Sequence, residues 1–158
     1  MKLTVKQAAA AMLLAVSPLT MAADIDGTWH CEDDFKAGTT RINSVLTQQY
    51  DSASSKTNAQ GQVQIYNQGQ LSYQFDVSIR GTFAINGRML SEHAEQVNVQ
   101  LSNQPQDMQQ AQVMRDELEK AFKAAPPVEL LQIDDQQLQY KEPQTGETTS
   151  CQRVSAGT

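Results

Sequence analysis

Over residues 71–85 the chain alternates. Leu71, Tyr73, Phe75, Val77, Ile79, Phe83 and Ile85 hold the odd positions, while serine, glutamine, aspartate, arginine and threonine hold the even ones. Side chains two apart share one face of a strand, so this period predicts a single long strand with a dry face and a wet face. A straight strand of that length reaches roughly 50 Å at about 3.3 Å per residue, further than a small domain spans. Gly81, the one interruption, is the expected place for it to bend. Residues 40–50 predict a strand with Ile42, Leu46 and Tyr50 on one face, and 62–67 a shorter one with Val63 and Ile65 inward. The Ser/Asn/Gln-rich stretch 51–61 reads as their connection, and Asn67-Gln68-Gly69 as a turn.

Asn86-Gly87 is a type I′ hairpin signal that pairs Phe83 with Leu90 and turns Leu90 inward. Val97, Val99 and Leu101 have the opposite parity to Leu90, and a one-residue slip would put all three in water. The pattern therefore requires a bulge or break between Ser91 and Gln96. After Pro105 the period changes. Ala111, Met114, Leu118, Ala121, Phe122 and Ala125 fall at helical spacing behind an Asp107 cap. Asp116 with Lys120, and Glu119 with Lys123, are i,i+4 pairs on the wet side. Pro126-Pro127 stops the helix, and strands follow at 128–133, 136–142 and 147–154. The loop Pro143-Gln144-Thr145-Gly146 pairs Tyr140 with Thr149 and Leu138 with Cys151.

Cys31 and Cys151 are the only cysteines. Trp29 stands two before the first and Arg153 two after the second, so each shares its cysteine's face. If the first and last strands pair antiparallel with the cysteines opposite one another, Trp29 faces Arg153. One register thus gives both a cross-strand disulfide and a guanidinium over an indole. The fold expected is mainly β: an antiparallel barrel or strongly curved sheet of about eight strands. One amphipathic helix precedes the last three strands, and a first-strand to last-strand disulfide closes the sheet.

Asp26-Gly27-Thr28-Trp29, at the start of the first strand, resembles the Gly-x-Trp signature of lipocalins and related calycin barrels. In that family the tryptophan plugs one end of the barrel and packs against an arginine from the terminal part of the chain. Trp29 and Arg153 match those roles in kind. The resemblance implies an up-and-down barrel with an internal pocket for a small, usually apolar ligand. The family's helix follows the eighth strand, whereas this one precedes the last three.

The first 22 residues read as a secretory signal. Lys2 and Lys6 form the charged region, 8–16 a short apolar run, and Thr20-Met21-Ala22 a cleavage site with no lipid-accepting cysteine. The apolar run falls short of the roughly 20 residues a membrane span needs. Residues 23–158 then form one domain in a periplasmic or secreted protein, where two cysteines read as one disulfide. Removing Lys2 and Lys6 from 12 basic residues leaves 10 against 18 acidic, a net charge of −8. That charge argues against nucleic acid and suits a basic partner.

No constellation reads as an active site. His30 and His93 lie on separate strands, which argues against a metal site and against Ser-His-Asp chemistry. Asp24, Asp26 and the run Glu32-Asp33-Asp34 lack calcium-loop spacing and read as a solvated acidic edge. No metal or cofactor is expected. Tyr73, Phe75, Val77, Ile79 and Phe83 are the candidate ligand-lining row, although a filled core would use them equally well. The expected function is a non-enzymatic exported binding protein holding a small apolar or amphiphilic ligand in a barrel. The alternative is an acidic module that binds a basic protein, such as an inhibitor or immunity-type partner of a basic enzyme.

Overall fold

The computed structural model describes residues 24–155. The expected signal segment, 1–22, lies outside the described residues. Eight antiparallel strands form a closed ring in chain order: β1 (Gly27–Ala37), β2 (Thr40–Asp51), β3 (Lys56–Asn67), β4 (Gln70–Asn86), β5 (Met89–Leu101), β6 (Val128–Ile133), β7 (Gln137–Lys141) and β8 (Thr148–Arg153). A single helix among the described residues, α1 (Met108–Lys123), stands between β5 and β6 without disturbing that order. It is not long and apolar enough to cross a membrane. Asp107 caps it, its carboxylate accepting from Gln110 N at 2.9 Å.

The closing register is the one the cysteine spacing requires. Cys31 faces Cys151, Trp29 faces Arg153, and the disulfide joins β1 to β8. The last hairpin pairs Leu138 with Cys151 and Tyr140 with Thr149. The parity conflict in β5 is resolved by a bulge at Glu95: Gly81 faces Ala94, Arg80 faces Gln96, and Glu95 has no partner between them. Gly81 is where β4 and β5 close up, since a Cβ there would stand 2.0 Å from His93 O.

Several expectations need correction. Residues 56–61 belong to β3 rather than to a connection, and the turn is confined to the few residues after Asp51. That half of β3 escaped notice because its inward positions carry only Thr57, Ala59 and Gly61. The hairpin after β4 pairs Phe83 with Glu92, not Leu90. Its loop residues are Gly87 and Arg88, of which only Gly87 has positive φ (62°), the pattern of a II′ rather than a I′ turn. A shift of two preserves the faces, so Leu90 is still buried. Leu71 and Ile85 are exposed: a register shift leaves Ser72 unpaired and sets Leu71 opposite Tyr66 instead of on the face of Ile65 and Tyr73, and Ile85 lies at the far end of β4, beside the hairpin. Asp116 bonds to the neighbouring Arg115 instead of Lys120, while Glu119 holds Lys123 at 2.6 Å.

The walls are unequal. β1 to β5 run 11 to 17 residues, β6 to β8 only five or six. β6 pairs with β5 only at Met89 and Leu90, and β8 with β1 only from Trp29 to Glu32. Much of the facing edges of β1 and β5 is thereby left without a strand partner. Helix α1 packs along β5 and sets Met114, Leu118 and Phe122 against the inward side chains of β2 to β5. The core is consequently split. One cluster, at the seam, gathers Trp29, Cys31, Tyr50, Phe83, Leu90, Leu138 and Cys151. The other, under the helix, gathers Val63, Ile65, Phe75, Val77 and Val99.

Candidate functional site

Between the two clusters the ring is not filled. An inner cavity of about 210 Å³ is walled by small inward residues, Ser44, Thr57, Ala59, Gly81 and Ala94, with Leu46, Ile79 and Phe122 completing its apolar side. Small side chains at these positions leave the space that a packed barrel would fill. It adjoins an outer cavity of about 620 Å³, which opens where the C-terminal end of α1 meets β1 and the β7–β8 hairpin. Asp33, Glu92, Phe122, Ala125 and Tyr140 belong to both.

Two carboxylates point into this space. Asp33 shares the inward parity of Trp29 and Cys31, so one member of the supposed solvated acidic edge faces the interior. It is half-buried, and Thr149 Oγ1 donates to its Oδ1 at 2.7 Å. Glu32 and Asp34, on the other parity, are outside; Asp34 is bound by Arg41 at 2.7 Å. Glu92, two residues beyond Leu90, receives a hydrogen bond from Gln48 Nε2. Much of its surface is accessible although the residue stands inside the ring, because that surface is cavity wall. Burial is the main cause pushing both carboxyls above their ordinary range, against the hydrogen bonds that favour their ionised forms. The hydroxyls of Tyr50 and Tyr140 are pushed up as well, first by burial and then by the neighbouring acidic groups.

Thr57 is only 8 % exposed, and its Oγ1 stands beside the Glu92 carboxylate without a fully formed hydrogen bond. Nor does either cavity carboxylate have a cationic partner: the ion pairs among the described residues are His30–Glu32, Arg41–Asp34, Lys56–Glu95, Arg115–Asp116 and Lys123–Glu119. Within the same bounds, no three His, Cys, Asp or Glu side chains converge as a metal centre would require.

The residues marked out from the sequence distribute differently. Ile79 borders the inner cavity. Phe75 and Val77 are buried in the cluster under the helix, with Tyr73 stacked on Phe75 at 6.4 Å. Phe83 lies in the seam cluster, edge-on to Tyr50 at 5.0 Å. Trp29 is fully buried, with the Arg153 guanidinium 4.1 Å from its ring and its Nε1 donating to Ile25 O at 2.8 Å. Asp33, Gln48, Thr57 and Glu92 were not anticipated. The inward parity of Asp33, Gln48 and Glu92 was legible, since each lies two residues from an inward apolar side chain on its own strand; that of Thr57 was not, because its half of β3 carries no large apolar residue. In comparisons with known proteins, no family model and no curated protein matches this chain.

Proposed function

We propose that this chain is a non-catalytic binding protein of an oxidising, exported compartment, holding a small amphiphilic molecule inside a lipocalin-like barrel. The observation that carries this reading is the void between the two core clusters, with an apolar wall on one side and polar groups on the other. Ligand sites combine those features, a largely apolar lining with a few placed polar groups, at volumes of roughly 300–1,000 Å³. The disulfide supports the compartment, since such bonds persist where thiols are not kept reduced. The net acidity weighs against nucleic acid as the partner.

A second reading, a module that receives a basic protein, draws on the rim of the outer cavity, where Glu32, Asp34, Glu142 and Glu147 stand. Native mass spectrometry of the protein purified gently from the exporting cell separates the two. A small-molecule adduct that is lost on denaturation is the expected result. A bare monomer, or one carrying a co-purified protein, overturns the ligand-binding reading.

A further inference from the structure

Resting on that reading, we infer that the ligand carries a cationic amine, its head seated between Glu92 and Asp33 and its apolar body against Phe122, Ile79 and Leu46. Charge within the cavity is one-sided. Its walls include two carboxylates and no lysine or arginine; His93 is the one lining side chain able to become positive. A carboxylate turned into a cavity without a counter-ion is costly, and a protein that needed only an apolar pocket gains nothing by keeping two. Thr57, nine-tenths buried beside Glu92, turns its hydroxyl to the same corner of the cavity without a fully formed hydrogen bond.

The groups around the carboxylates also select for sign. Gln48 and Thr149 already donate to Glu92 and Asp33, which leaves each carboxylate further acceptor sites and no reason to attract another anion. The aromatic residues Tyr50, Tyr140 and Phe122 line the same space, and rings there can attract an ammonium, primary or quaternary, by cation–π interaction. A carboxylate-headed ligand, such as a fatty acid, would meet like charge here instead of the basic groups such a head needs. Outside, the acidic rim raises the local concentration of cations and steers them inward.

The test compares three probes with one tail and different heads: n-octylammonium, n-octanol and n-octanoate, titrated calorimetrically into the intact disulfide-linked protein and into Glu92→Gln. Octylammonium is expected to bind more tightly than octanol by about ten-fold or more, with octanoate weakest. Glu92→Gln should erase most of that preference, lowering octylammonium affinity far more than octanol affinity, and Asp33→Asn should reduce it in the same sense. If octanol binds as well as octylammonium, or the preference survives both substitutions, the inference falls and the cavity reading stands. If none of the three binds, both fall. N-acetyl-lysine amide, which has the charge without the tail, is expected to bind at least about ten-fold more weakly than octylammonium. Equal binding would mean that a protein's lysine, not an amphiphile, is what the site reads, and would overturn the inference.

Discussion

Gly27 and Arg153 are fitted to one another: a Cβ at position 27 would stand 2.5 Å from Arg153 Nη1. The guanidinium carbon stands 4.1 Å from the centre of the Trp29 ring, and its two terminal nitrogens donate to the carbonyls of Asp26 and Asp24, the latter at 3.0 Å. The glycine of the Gly-x-Trp segment thus does two things. It adopts φ 118°, which L side chains avoid, and it leaves room for the arginine that covers the tryptophan.

Gly27→Ala should therefore destabilise by at least about 1 kcal/mol from backbone strain alone, and by more through the clash. In an Arg153→Ala background the clash component should vanish and the strain component remain. Urea midpoints of the four proteins in that cycle measure the difference; equal costs in both backgrounds would contradict the fitted pair.

The Cys31–Cys151 bond spans 120 residues. Replacing both cysteines by serine should lower stability by about 4–5 kcal/mol in the chain-entropy model, read from denaturant unfolding. Alkylation of the denatured but unreduced wild-type chain should label neither cysteine.

Glu92 makes the pH dependence of stability informative. Its carboxyl is raised by burial, so the folded protein holds the proton more readily than the unfolded chain. The stability from this group is fully present below the ordinary value of 4.5 and is lost as pH rises through the folded value, where the charge must be enclosed. Glu92→Gln retains the acceptor for Gln48 and removes the titration. The variant should melt above wild type at pH 7, and the gap should close as the pH falls toward 4.5. A lower melting temperature at pH 7 would contradict this account. Gain in stability on removing a charged group is the expected signature of a residue kept for binding rather than for folding.

Gly61 shows how tightly β2 and β3 are pressed together. A Cβ there would lie 2.0 Å from Val45 O, with backbone and not a flexible side chain in the way. Gly61→Ala should cost roughly 1–3 kcal/mol, as overpacking does elsewhere, measured by thermal or urea unfolding. A neutral effect would mean that the two strands separate more easily than their register implies.

Parity along single strands determined much of this protein in advance. Cys31 with Cys151 and Trp29 with Arg153 were legible because equal offsets on antiparallel strands must meet. The Glu95 bulge was legible because Leu90 and Val97 to Leu101 cannot otherwise share a face. The helix was legible as a change of period, and Asp107 as its cap. The upper half of β3 was not, because Thr57, Ala59 and Gly61 bring no large apolar residue to reveal an inward face.

The tertiary structure alone decided that the barrel is hollow between two core clusters, and where. Alternation says that Asp33, Gln48 and Glu92 point inward, though it is silent on Thr57. It cannot say that residues drawn from four strands reach the same space, or that Ala59, Gly81 and Ala94 face it together and leave it empty. Inwardness is a local property with a period of two, carried by each strand on its own. A void is a deficit of volume summed over side chains far apart in the chain, and it exists only once the ring has closed and set them at fixed distances.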